Sequence, residues 1–125
     1  MAFAVIFSPE FGSWFDEQEN SLQRAVLVYV GLLEEGGPQL SRPYADTLKG
    51  TRLNNLKELR VQYRGNPYRI LYAFDPERQA LLLVGGNKAG DRRWYDRMIP
   101  VAETLFERHL EDLEKEKDDD DRTTH

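Results

Sequence analysis

Cysteine is absent from the 125 residues. That excludes a disulfide scaffold, a thiol nucleophile and any Cys-bound metal. Histidine is almost absent, with only His109 and His125, both towards the C-terminus. A histidine-based triad or a histidine-rich metal centre is therefore not expected, and no cofactor or metal is assigned. No apolar run approaches about 18 residues, so no membrane span is expected. The opening MAFAVIFSPE lacks a basic segment and turns polar too early for a signal peptide. These absences point to a cytoplasmic protein without a membrane role.

Apolar residues make up 40% of the chain, enough for one domain with a core between two packed layers. The net charge of −5 argues against a nucleic-acid partner until it is divided by segment. Residues 1–48 carry −5, residues 49–97 carry +6, residues 98–110 carry −1 and residues 111–125 carry −5. A basic middle between acidic flanks fits an anionic partner for the middle; flanks that pair with the middle in one neutral globule would give the same totals.

Phe3 to Phe7 reads as a strand, and Ser8-Pro9-Glu10 as a capped helix start. Phe11, Trp14 and Phe15 give that helix an apolar face. Asn20-Ser21 can cap a second helix with Leu22, Val26, Tyr29 and Leu33 on its buried side, stopped by Gly36-Gly37-Pro38. Residues 38–55 read as a long loop. The period then changes from 3.6 to 2. Leu56 to Tyr63 places Leu59, Val61 and Tyr63 on one face and Glu58, Arg60 and Gln62 on the other. Gly65-Asn66 supplies a turn, Tyr68 to Phe74 a strand, Asp75 to Arg78 a second turn, and Ala80 to Val84 a third strand ended by Gly85-Gly86. Asp91 can cap a short helix carrying Trp94 and Tyr95. Pro100 opens the last helix, whose stripe is Ala102, Leu105, Phe106, His109 and Leu113. Residues 1–113 then form the domain. Residues 114–125, dominated by KEKDDDDRTTH, read as an acidic, disordered tail.

The predicted architecture is α+β: a helical hairpin packed on a small antiparallel sheet, in the order β-α-α-β-β-β-α. With a Gly65-Asn66 turn, Gln62 pairs with Arg69 and Arg60 with Leu71. The two arginines then share a face as diagonal neighbours about 7–8 Å apart. A four-residue loop at 75–78 pairs Arg69 with Val84 and brings Lys88 to the same face. Glu58, Arg60, Gln62, Arg69 and Lys88 would form a cationic patch. A solvated surface with Glu58 paired to Arg60 would look the same. Arginine forks match phosphate oxygens, and RNA carries its own nucleophile in the 2′-hydroxyl. Cleavage needs positioning, charge neutralisation and proton transfer, with no obligatory metal. Glu58, Lys88 and Tyr95 are the candidate proton carriers.

The strings LKELR (56–60), YRILYAF (68–74), LLVGGNK (82–88), WY (94–95) and IPVA (99–102) follow one another in an order that resembles the HigB-like, phage-derived branch of the RelE/ParE toxin superfamily. The resemblance covers residues 48–110 well. It implies a RelE-like fold with an open cationic sheet face, and the toxin of a type II toxin–antitoxin pair. It also implies a ribosome-dependent mRNA endoribonuclease using the 2′-hydroxyl, and a helix-turn-helix antitoxin as partner beside mRNA and the ribosome. By the same resemblance Arg60 and Arg69 match the strand arginines, Lys88 the lysine after the last sheet strand, and Trp94 or Tyr95 the aromatic near the final helix; with Glu58 from the reading of the sheet face, the catalytic set is Arg60, Arg69, Lys88, Tyr95 and Glu58. Lys49 and Lys57 match basic residues around the start of the meander; Arg52, Arg64, Arg92 and Arg93 complete the basic set read as contacting RNA. Alanine at 69 is then expected to abolish cleavage and leave the fold intact. The site histidine of many HigB relatives is missing here. Two other readings stay open: a ParE-like gyrase inhibitor, and a catalytically inert phage-derived protein that binds RNA or a partner.

Overall fold

Ser8 starts the first helix as expected: its hydroxyl accepts the Phe11 amide at 3.0 Å and donates to the Leu83 carbonyl at 3.0 Å. The computed structural model describes residues 2–123. Strand β1 (Ala4–Phe7) leads into α1 (Pro9–Asp16) and α2 (Asn20–Gly36), and α2 runs into a single 3-10 turn at Gly37–Gln39. The strands β2 (Ala45–Thr47), β3 (Lys57–Tyr63), β4 (Asn66–Phe74) and β5 (Gln79–Asn87) follow, and α3 (Trp94–Thr123) closes the chain. The sheet order is β1-β5-β4-β3-β2.

The predicted order holds, with one added strand. Residues 38–55 are not all loop. β2 pairs antiparallel with β3, Asp46 lying opposite Glu58. Three residues between prolines and a glycine are too few to show a period of 2. The sheet is also mixed rather than purely antiparallel, because β1 runs parallel to β5 along Ala4–Phe7 and Gln79–Leu82.

Alternate residues of the central strands enter different helical layers, as the pleat requires. Leu59, Val61, Ile70, Tyr72 and Leu82 pack with Phe11, Leu22, Val26 and Leu33 of the hairpin. Leu71, Ala73, Leu81 and Leu83 pack with Trp94, Ala102, Leu105 and Phe106 of α3. So α3 lies on the face away from the hairpin and covers part of it, leaving the rest of that face open.

Both hairpin registers differ from expectation, and the side-chain faces survive. The first turn is Arg64-Gly65, with φ of 51° and 78°, so Tyr63 opposes Asn66 and Arg60 opposes Arg69. Moving the turn by one residue shifts each pair by two and keeps Arg60 and Arg69 on one side. In the second hairpin Phe74 opposes Ala80. A bulge then intervenes, so that Leu71 opposes Val84 and Arg69 opposes Gly86. The extra residue, Leu83, restores the parity that the wider turn had inverted.

Gly85-Gly86 does not end β5, which runs on to Asn87. Each glycine instead receives an indole. A Cβ at Gly85 would come within 2.9 Å of Trp14 on the hairpin side, and one at Gly86 within 2.6 Å of the Trp94 Nε1 on the α3 side. Their backbone is therefore covered by protein.

The last two predicted helices are one. Pro100 sits inside α3 and gives up one backbone hydrogen bond. Tyr95, Met98 and Ile99 before it, and Ala102, Leu105 and Phe106 after it, all pack on the same core, which holds the helix through the proline. The segment read as a disordered tail continues as helix to Thr123; residues 124–125 lie outside the described residues. The packed turns supply the nucleus, so later residues add helix without that cost. Glu111 lies four residues before Lys115, a spacing that favours helix. His109, on the same helix, ties α3 to the β4–β5 turn through Asp75 Oδ2 at 2.8 Å.

Candidate active site

The open part of the α3-side face is floored by β3 and β4 and walled by the first turn of α3. Glu58, Arg60 and Arg69 point into it, and Glu58 and Arg69 are only 5% and 4% exposed. A buried carboxylate is costly unless charges and donors surround it. Arg60 donates to Glu58 Oε2 at 2.9 Å, and Tyr95 donates its hydroxyl to Oε1 at 2.5 Å. Arg69 Nε lies 3.7 Å from the same Oε1, too far for a hydrogen bond, and has no partner among the described residues. The Arg69 fork is held instead by the Tyr68 carbonyl at 3.0 Å. Glu58 thus carries the charge that lets two arginines sit directly opposite each other.

Tyr95 reaches this cluster because Trp94, beside it, is anchored over Gly86. Its ring lies edge-on to the Trp94 indole at 5.2 Å, and Lys88 Nζ sits 5.6 Å from its centroid. Burial pushes the Tyr95 hydroxyl up to about 12; the hydrogen bond to Glu58 and its charge add to this, and Arg69 opposes it. At neutral pH Tyr95 is a proton donor. An alkaline titration followed by tyrosinate absorbance should show this group ionising about two pH units above an ordinary tyrosine at about 10. Because the folded value is the higher one, the stability it confers is complete below pH 10 and is lost as pH rises towards 12. A Tyr95→Phe variant should lose that transition.

Two pockets open on this floor. One, of about 260 Å³, is lined by Arg42, Pro43, Arg60, Gln62 and Arg69. The other, of about 470 Å³, is bounded by Glu58, Tyr95, Asp46, Lys49 and Arg42 among others. Of the residues singled out from the sequence, Glu58, Arg60, Arg69, Lys88, Tyr95 and Lys49 therefore come together. Others do not. Lys57 projects from the hairpin side of the sheet, where its ammonium donates to the Pro38 carbonyl at 3.0 Å; β-alternation puts it opposite Glu58. Arg52 is bound bidentately by Glu107 at 2.7 and 2.8 Å, while Glu103 accepts the amides of Arg52 and Leu53. These contacts tether the loop to α3 away from the cleft. Arg64 occupies the β3–β4 turn, paired with Glu19 at 3.1 Å. Arg92 and Arg93 are exposed in the turn that precedes α3.

Sequence reasoning missed Arg42. It sits in the segment read as loop, and only the pairing of β2 with β3 brings it to the cleft. Among the described residues no group of three or more His, Asp or Glu is placed to hold a metal ion, and no helix is long and apolar enough to cross a membrane.

Known proteins resemble this chain in sequence and in fold. Residues 13–107 match the family described as phage derived protein Gp49-like. A putative toxin of Mycobacterium tuberculosis, HigB3, is 44% identical over 108 residues, covering 86% of this chain and 93% of its own. A second from the same organism, putative toxin HigB2, is 42% identical over 107 residues, covering 84% of this chain and 53% of its own. Among solved structures, an E. coli toxin RelE mutant in the free state superposes with a TM-score of 0.56 at 14% identity over 73% of this chain and 88% of that one. The toxin–antitoxin complex RelBE2 of M. tuberculosis gives 0.54 at 19% identity, over 70% of this chain and 99% of that one. At such identities the solved structures bear on the fold alone. The chain belongs to the phage-derived Gp49-like family, and within it to the HigB-type toxins built on the RelE-like fold.

Proposed function

We propose that this chain is the toxin of a toxin–antitoxin pair and that its cleft cleaves mRNA on the ribosome through the RNA 2′-hydroxyl. The observation that carries the reading is the juxtaposition of Arg60 and Arg69 across β3 and β4, on an open face, with a protonated Tyr95 at its edge. Two guanidiniums side by side offer parallel forks to the oxygens of one phosphodiester. Extra negative charge on phosphorus in the transition state is met by Arg60, Arg69 and Lys88. The 2′-oxygen forms a bond to phosphorus as the bond to the 5′-oxygen breaks. The 2′ proton passes to solvent water and the 5′-oxygen takes one from Tyr95, which regains it from solvent, leaving a 2′,3′-cyclic phosphate and a 5′-hydroxyl. Tyr95 suits delivery of that second proton. Glu58 then serves chiefly to hold Tyr95 and both arginines in place. Lys49, at the mouth, and the exposed Arg92 and Arg93 supply further attraction to the RNA backbone. A helix-turn-helix antitoxin would mask the same face.

Induced expression in bacteria, with growth and transcript ends followed together, tests this. Growth should stop, and new ends bearing 5′-hydroxyls should appear inside translated frames. Arg60→Ala, whose side chain is partly exposed, should suppress both by at least about tenfold. Normal growth and intact transcripts, with soluble protein present, would overturn the assignment. Arrest with intact transcripts and relaxed plasmid DNA would move it to gyrase inhibition.

A further inference from the structure

The two pockets of the cleft have one residue in common among the described residues: Arg42. It stands on the strip of chain leading into β2, at the boundary between the Arg60/Arg69 pocket and the Glu58/Tyr95 pocket. Its circumstances differ from those of the floor arginines. Arg60 and Arg69 are tied to a buried carboxylate. Arg42 is two-thirds exposed, and its side chain donates to Asp46 Oδ2 at 2.8 Å. Asp46 is itself held below the ordinary carboxylate range, first by that bond and then by the Thr47 amide. An exposed ion pair of this kind contributes little to stability. The single bond from Arg42 Nε to Asp46 leaves its guanidinium free to exchange one anion for another, and a phosphate oxygen can take the place of the carboxylate oxygen. Gln62, lining the same pocket, adds a side-chain amide.

We propose that Arg42 is a further RNA-binding residue, kept in place by Asp46 until it transfers to a backbone phosphate of single-stranded RNA next to the phosphate held by Arg60 and Arg69. The inference rests on the reading of the cleft as a ribonuclease site and adds its extent: the substrate is gripped at two successive phosphates. Asp46 acts as a competitor for Arg42, so RNA and Asp46 bind the same guanidinium in turn.

The test is fluorescence titration of a labelled, single-stranded 2′-O-methyl RNA oligonucleotide, which has no nucleophile and is not cut, with the full chain over a range of salt. Arg42→Ala should weaken binding about tenfold, as for one lost charged hydrogen-bonding contact. It should also reduce the slope of log K against log salt by about 0.7, one phosphate's share on a single strand. Asp46→Asn should tighten binding severalfold, and that gain should vanish when Arg42→Ala is also present, because Asp46 acts through Arg42. In cleavage assays with mRNA on translating ribosomes the loss in Arg42→Ala should fall on KM. Wild-type binding with an unchanged slope in Arg42→Ala, or a gain from Asp46→Asn that survives without Arg42, would overturn the proposal while leaving the nuclease reading intact. A wild-type protein that neither binds this RNA nor cuts mRNA on translating ribosomes would instead remove the nuclease reading, and this inference with it.

Discussion

Arg69→Ala is expected to lower RNA cleavage by about 10²–10³-fold, the usual consequence of removing one transition-state charge partner. It is also expected to cost stability, which the sequence alone did not indicate. Arg69 is 4% exposed and lies on Glu58. Taking away one member of a buried ion cluster costs about 3–5 kcal/mol when the remaining charge is left bare. Here Glu58 keeps Arg60 and Tyr95, so the lower end, about 3 kcal/mol, applies. Activity and fold must therefore be separated. Arg69→Lys keeps a cation beside Glu58 but loses the planar fork. It should unfold in urea within about 1 kcal/mol of wild type, the scale of a contact whose charge is retained, and still cleave at least tenfold more slowly. A lysine variant with wild-type cleavage would show that position 69 supplies charge alone; an alanine variant with wild-type cleavage would sink the catalytic assignment.

Much of this site is legible in the sequence because it lies on a meander with a clean period of 2. Glu58, Arg60 and Arg69 fall on one face in any register that shifts by two. The turn can therefore be misplaced by one residue without moving them. That tolerance does not extend to the second hairpin. There the wider turn would have turned the Lys88 edge over, and only the Leu83 bulge keeps it in place. A bulge of one residue leaves no period to read. The glycine pair at 85–86 points the wrong way, since glycine ends strands as readily as it admits an aromatic ring. What decides between those is Trp14 and Trp94, which lie 71 and 8 positions from Gly85 and Gly86 in the sequence and meet them only in the fold. The same applies to Arg42. Nothing in residues 38–55 marks three residues as a strand, so its approach to Arg60 is invisible along the chain. Lys57 and Arg52 show the converse. Their charge fits the basic middle of the chain, but a neighbouring carbonyl and a glutamate on α3 use it internally. Charge counted along a segment says how much is present; pleat and partner say how much remains for a ligand.

Glu58→Gln should produce the second large effect, and it separates a proton carrier from a structural counter-charge. Glu58 is 5% exposed and is shared by Arg60, Arg69 and Tyr95. Glutamine keeps the volume and one carbonyl acceptor but removes the charge. Two guanidiniums then face each other across adjacent strands without an anion between them. A loss of about 3 kcal/mol in stability is expected, the scale for breaking a buried pair. Tyr95 reports on the change from within the site. Two of the influences that lift it to about 12 come from Glu58, through the hydrogen bond and through charge. Its ionisation should therefore move down towards the ordinary value near 10, leaving burial to raise it against the opposing effect of Arg69. If Glu58 holds the site together, cleavage by the glutamine variant should recover in proportion to folded protein when a stabilising anion such as inorganic phosphate fills the arginine pocket and is then exchanged for RNA. If Glu58 itself accepts the 2′ proton, folded variant protein should remain at least 10²-fold slower. The 2.5 Å bond from Tyr95 and the 2.9 Å bond from Arg60 occupy both carboxylate oxygens, which places the expected result with the first outcome.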